Sequence, residues 1–182
     1  TMTFDFDKGA PTTFAPVVTQ LDVPLLKALA KKYEKPITLY DLETSDFVHM
    51  PVFGITEVGA VHIYPDGTVM EHGTLVNPEV PISENAAQVT GISQEMVKDM
   101  PNWGHTARDY FDYWSKNHIV LGFNSLDFDN AGVVRENLRY GGNPIQWNDT
   151  RDVRSFWRLF SATPFWKKYA EEKEIFKKYD EV

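Results

Sequence analysis

The 182-residue chain contains no cysteine. That excludes disulfides, thiolate metal sites and cysteine nucleophiles, and it suits a reducing cytoplasm. No apolar run approaches the ~20 residues a helix needs to cross a bilayer. The opening TMTFDFDKGAPTTF has no basic stretch followed by an apolar one, so no export signal is read there. These absences predict a soluble, cytoplasmic protein with no membrane partner. An excess of positive charge is missing as well: 18 Lys and Arg stand against 26 Asp and Glu, for a formal net charge of −8. Proteins that coat nucleic acid by bulk electrostatics are ordinarily basic, so that class is disfavoured. An enzyme that grips a few phosphates locally is not, and carboxylates gathered around divalent cations would add to the negative count. Repeats and low-complexity tracts are absent too.

What is present is ordinary globular material, 42% hydrophobic and 24% charged, long enough for one core and too short for two. Residues 1–22 carry Pro11, Pro16 and no sustained period, which predicts an irregular arm. Residues 23–33 place Val23, Leu25, Leu26, Leu29 and Ala30 near helical spacing. Residues 37–43 and 53–64 alternate as strands, and Pro65-Asp66-Gly67 turns the second into a returning strand over 69–76. Ser83 and Ser93 are placed to start short helices through 89 and 100. A helix over 106–117 presents Ala107, Tyr110, Phe111 and Trp114 on one face, and a buried strand follows at 118–122. Asp127 or Asp129 opens a helix to Tyr140 that stops at Gly141-Gly142. Helices over 153–160 and 165–179 complete the reading, the last a salt-bridged exposed one. The order predicts a single α/β domain with a mixed sheet flanked by helices, divided as an arm and helix over 1–35 and a main domain over 36–182.

The most informative segment is Ile37-Thr38-Leu39-Tyr40-Asp41-Leu42-Glu43-Thr44. Strand side chains alternate, so Asp41 and Glu43 point the same way, continuing the face of Ile37 and Leu39. Two acids on such a face repel unless a cation compensates them, and magnesium or manganese favours oxygen ligands. A strand that simply ends at Leu39, leaving both acids in water, is an equal reading of those residues. The second segment, Ile119 through Asp129, is a strand, a loop and a helix start, and it projects Asp129 toward the carboxyl end of the strand, where open α/β sheets place ligands. Asp127 is the better helix cap of the two acids, which leaves Asp129 for a metal. Asn124 holds the loop or touches substrate.

Asp41-Leu42-Glu43-Thr44 resembles the first motif of the DEDD, or DnaQ-like, 3′–5′ exonuclease superfamily. Gly122-Phe123-Asn124 with Phe128-Asp129 is similar to its second motif, with a gap closer to the exonuclease I branch. Leu75-Val76-Asn77-Pro78, Val89-Thr90-Gly91-Ile92-Ser93 and Asn148-Asp149-Thr150-Arg151-Asp152-Val153 also fall in the family's order. The resemblance covers roughly residues 36–160. It implies an RNase H-like fold, and Asp41, Glu43 and Asp129 as catalytic residues and ligands of two Mg2+ or Mn2+ ions about 4 Å apart. It further implies release of mononucleotides from a single-stranded DNA 3′ end. The substrate contacts it suggests are Leu42, Thr44, Phe47 and Asn124. Phe47 and Ile92 are wedge candidates against terminal bases, with core packing the preferred role for Ile92. An RNA substrate is the runner-up, and a non-catalytic nucleic-acid-binding or scaffold domain is the alternative of a different class.

The family's third motif, His or Tyr with a fourth acid on a late helix, is missing. His49, His62, His72, His105 and His118 all precede the second motif, and Tyr169 is followed four residues later by Lys173. Three accounts are open: a chain cut before the motif, a decayed site that binds without cutting, or an unconventional acid such as Asp180 or Glu174. The first is the one expected here, because the other three acids persist together. Asp149 and Asp152 are acids within topological reach, better read as a strand-end turn and a helix cap. Arg135, Arg139, Arg151, Arg154 and Arg158 are candidate phosphate contacts, with a solvated surface as the default for most of them.

Overall fold

A computed structural model of the chain describes residues 17–18, 22–122, 125, 128–154, 162, 164, 167–168 and 171. In chain order these form β1 (Val17–Val18), α1 (Pro24–Tyr33), β2 (Ile37–Thr44), β3 (Ile55–Ile63), β4 (Val69–Leu75), α2 (Glu84–Thr90), α3 (Gln94–Val97), α4 (Trp103–Thr106), α5 (Arg108–Asn117), β5 (Ile119–Gly122), α6 (Asp129–Arg139) and β6 (Thr150–Asp152). The expected helices over 153–160 and 165–179 lie almost wholly outside the described residues.

β2 combines β-branched and aromatic residues without Gly or Pro, and it sits inside the sheet. Its partners on either side differ in sense. The sheet order is β1-β4-β3-β2-β5-β6, antiparallel from β1 to β2 and parallel through β5 and β6. The β3–β4 hairpin turns where Gly67 takes φ 90°, a value that suits glycine. The Thr68 N–H donates to Asp66 Oδ1 at 2.8 Å across the same turn.

Three expectations are corrected. Residues 1–22 are not wholly irregular, because Val17 and Val18 pair with Glu71 and Met70 as a short edge strand. The helix expected over 106–117 starts earlier and is broken: Ala107 (φ −113°, ψ −22°) separates α4 from α5. A buried anchor accounts for the earlier start, since the fully buried Trp103 donates its indole N–H to Asn137 Oδ1 at 2.7 Å. The helix expected from Ser93 through 100 is one turn, and the Ser93 side chain makes no cap bond, whereas Ser83 does accept from Ala86 N–H.

Two apolar clusters flank the sheet. Tyr40, Leu42, Val58 and Ala60 face Trp103, Tyr110, Phe111, Trp114 and Val133 in the larger one. Ile37, Ile63 and Val69 face Ala30, with Leu26 and Leu29, in the smaller. The larger cluster also encloses a polar chain. Thr38 Oγ1 bonds His62 Nδ1 at 2.8 Å and His118 Nδ1 at 2.6 Å, and His62 Nε2 meets His72 Nδ1 at 2.6 Å. Burial pushes all three imidazoles down, His62 to about 2, where the neighbouring His72 and His118 add to the effect, and His72 and His118 to about 4.

Candidate active site

β2 and β5 run parallel, with Leu39 opposite Leu121, so the chain beyond each leaves the sheet at the same end. Gly122, at the end of β5, lies close to Ser125. A Cβ on Gly122 would lie 2.3 Å from Ser125 Cβ, so only glycine fits there. Ser125 O then accepts from Asn130 N–H at 2.7 Å, holding the start of α6 to the strand end. Among the described residues no side chain caps α6; Asp127, expected to do so, lies outside them, as does Asn124.

This geometry places Asp129 within the electrostatic field of Asp41 and Glu43. Asp129, in the first turn of α6, is 5% exposed, and the backbone N–H groups of Asp129 and Leu42 act to lower its carboxyl. Burial, then the charge of Asp41, and more weakly that of Glu43, push the Asp129 carboxyl up to about 7 against the backbone N–H groups of Asp129 and Leu42. Among the described residues no cationic side chain figures among these influences. Glu43 is also raised, by burial first and then by Asp41 and Glu57. Along β2 the shared face runs from buried Ile37 to exposed Asp41 and half-buried Glu43. The acids therefore stand where the apolar face opens to water.

Among the described residues no group of three or more His, Asp or Glu is already drawn together as a cation ligand set. The three carboxylates share a field without a closed coordination shell. Their chemistry nevertheless fits a hard divalent cation: they are oxygen donors only, one is buried, and among the described residues no cationic side chain is paired with them.

Beneath the acids, the Tyr40 hydroxyl donates to Asn130 Oδ1. Burial raises that phenol well above its ordinary value, and Asp129, Asp41 and Asp152 raise it further. Asp152 is buried and its Oδ1 accepts from Arg154 N–H at 2.9 Å, the capping role expected for it. Asp149 instead pairs with Arg151 at 3.1 Å.

Beside the acids lies a cavity of about 160 Å3 lined by Leu42, Glu43, Thr44, Phe47, Val89 and Phe128, among others. Three of the four expected substrate contacts therefore share one pocket. Phe47 is 54% exposed at its wall, whereas Ile92 is 4% exposed and belongs to the core. The sequence reading gave no role to Val89, which is 78% exposed on α2. An apolar residue just before the Thr90-Gly91 helix stop was the available signal. The candidate phosphate arginines of α6 are corrected. Arg135 donates to the carbonyls of Val48, Met50 and Pro51, and Arg139 to that of Pro78, so these donors are taken up by the protein itself. Arg158 lies outside the described residues.

Among the described residues no helix is long and apolar enough to cross a membrane. Among curated proteins, the chain is 29% identical over 128 residues to the PolC-type DNA polymerase III of Oceanobacillus iheyensis, 68% of this chain and 9% of that protein. It is 38% identical over 108 residues to the PolC-type DNA polymerase III of Caldanaerobacter subterraneus subsp. tengcongensis, 59% of this chain and 8% of that protein. The chain thus spans under a tenth of those relatives. Among solved structures, E. coli exonuclease I in complex with a dT13 oligonucleotide superimposes with a TM-score of 0.62 at 17% identity, covering 71% of this chain and 30% of that one. A complex named ExoI/SSB-Ct superimposes with a TM-score of 0.60 at 18% identity, covering 69% of this chain and 30% of that one. At such identities the likeness shows the fold, which is RNase H-like as the motifs implied. A family model described as an exonuclease matches residues 38–179. The chain belongs to the RNase T exonuclease family of the DEDD superfamily.

Proposed function

We propose that this chain is a 3′–5′ exonuclease unit that hydrolyses the terminal phosphodiester bond of single-stranded DNA and releases mononucleotides. The observation that carries the proposal is the placement of Asp129: buried, raised by Asp41 and Glu43, and without a cationic side chain paired to it among the described residues. A structural carboxylate is ordinarily paired, whereas one that awaits a divalent ion is not. Exonucleases of this kind use divalent metals. Asp41, Glu43 and Asp129 would hold Mg2+ or Mn2+, which when bound makes water acidic enough to attack and neutralises charge on the phosphate.

The protein groups orient the substrate. Phe47, Val89 and Phe128 offer apolar wall to a terminal base, a contact that tolerates any sequence. Thr44 and Glu43 set polar groups at the same wall. The cavity is small beside ordinary ligand sites, and suits one planar group. DNA is favoured over RNA because the names of the similar proteins concern a DNA polymerase and an exonuclease bound to dT13. A binding-only domain is the second reading, favoured by carboxylates not yet gathered into a ligand set.

The test is mononucleotide release from a 3′-labelled single-stranded DNA in Mg2+ or Mn2+. Asp41→Ala is expected to lower release by at least about 100-fold, since even outer-shell changes at metal sites cost up to that factor. Equal release from both proteins removes the enzyme reading. Faster release from a matched oligoribonucleotide reassigns the substrate. Oligonucleotide retention without release by the unmodified chain marks the binding domain.

A further inference from the structure

We propose that Arg135 is a positioning residue that clasps the 45–53 loop and sets Phe47 at its distance from Asp129. The inference rests on the exonuclease reading for its functional consequence, and on hydrogen-bond geometry for its structural part.

Besides Arg135, the loop is held by Val48 against the core, by Ser83 N–H to Ser45 O at 2.9 Å, and by local ties at its neck and near half. Phe47, His49, Met50, Pro51 and Val52 are exposed. Its neck is closed by Ser45 N–H to Gly54 O at 2.8 Å and Gly54 N–H to Ser45 Oγ at 2.9 Å. Its near half turns on Phe47 N–H to Asp46 Oδ1 at 2.8 Å and Met50 N–H to Phe47 O at 2.9 Å. The carbonyls of the far half converge on one guanidinium: Arg135 donates to Val48 O at 2.8 Å, Met50 O at 2.6 Å and Pro51 O at 2.7 Å. The planar fork presents its donors in a fixed geometry, whereas an ammonium, with three donors on one flexible point charge, holds the same carbonyls less rigidly.

The fork itself is fixed. The Arg135 guanidinium lies 5.0 Å from the Phe53 ring centroid. One turn earlier Gly132 admits that ring, for a Cβ there would stand 3.2 Å from Phe53 Cζ. Arg135 and Asp129 share the rigid α6, separated by about 9 Å of helix rise. Phe47, stacked on His49 at 5.7 Å, lines the cavity beside the acids. One side chain thus ties the aromatic wall of the pocket to the helix that carries the buried carboxylate. A loop ordered in advance spares the substrate the cost of ordering it on binding.

The test joins amide exchange with kinetics. Arg135→Ala is expected to speed exchange of the 46–52 amides about tenfold or more in the absence of nucleic acid, leaving the amides of α6 protected, with Arg135→Lys in between. KM for single-stranded DNA rises about tenfold while kcat stays within about twofold. If Arg135 acts through Phe47, the double variant Arg135→Ala/Phe47→Ala has a KM no higher than Phe47→Ala alone. Unchanged loop exchange, a fall in kcat equal to that in kcat/KM, or additive effects on KM would each overturn the proposal. A chain whose nucleotide release is insensitive to Asp41→Ala overturns the exonuclease reading instead, and the exchange result then judges the clasp by itself.

Discussion

The buried histidine chain makes the fold sensitive to acid, and His118→Asn isolates the effect. Folded, His62, His72 and His118 are held neutral by burial, at about 2, about 4 and about 4, against an ordinary 6.5. Because the folded values are depressed, their stabilising effect is fully present above pH 6.5 and is lost as pH falls toward the folded values. At pH 5 the unfolded chain protonates each imidazole and the folded chain does not. The difference is about 2 kcal/mol per histidine, from RT ln(1 + 10^1.5). Three such groups amount to about 6 kcal/mol between pH 8 and pH 5, a large part of the roughly 5–15 kcal/mol of an ordinary domain. Raised carboxyls such as Asp129 oppose this over the same range, so the total slope is smaller and a single-site difference is the cleaner measure. Asn can keep a polar atom near the position from which His118 Nδ1 meets Thr38 Oγ1 at 2.6 Å, but it does not titrate. Urea unfolding of both proteins at pH 8, 6 and 5 gives the comparison. His118→Asn is expected to be less stable at pH 8 through lost packing, and to lose about 2 kcal/mol less than the parent chain on going to pH 5. Parallel pH profiles would refute the reasoning, since they would mean that the imidazole protonates in the folded state without penalty.

Two further outcomes follow from the site. Asp129, raised from 3.8 to about 7, destabilises the metal-free fold as pH rises through that window. Asp129→Asn in EDTA should therefore be more stable than the parent chain at pH 8, by about 2 kcal/mol. That is half the roughly 4 kcal/mol the rise represents, because the neighbouring Asp41 side is wet. The gain should shrink at pH 4, and Mg2+ or Mn2+ should raise the melting temperature of the parent chain alone; a variant less stable than its parent in EDTA at pH 8 contradicts this. Gly122→Ala should cost about 1–3 kcal/mol, because its Cβ meets Ser125 Cβ at 2.3 Å and Oγ at 2.5 Å. Adding Ser125→Gly should recover part of that loss in urea unfolding, and no recovery would place the strain elsewhere.

Local patterns carried much of the architecture. Alternation in β2 and the β3–β4 hairpin, with Pro65-Asp66-Gly67 between its strands, depends on side-chain period and turn geometry within a few residues. The same period put Asp41 and Glu43 on one face, and Ser83 marked the start of α2 through its own bond to Ala86 N–H. The break at Ala107 and the pairing of Val17 with Glu71 were not legible, because the partners that decide them lie in distant segments. The aromatic and acidic composition likewise gave no sign that two histidines would meet at Thr38 and a third behind them at His62.

What the chain alone determined, then, was which residues share a face and which acids are available to a metal, since both follow from backbone repeat and residue type. What tertiary structure decided was where those groups go. Parallel pairing of β2 with β5 carries Asp129 into the field of Asp41 and Glu43, and α6 directs Arg135 to three loop carbonyls instead of to phosphate. The reason is physical: hydrogen bonds and burial couple groups across roughly 80–90 residues of chain, a distance at which periodicity carries no information.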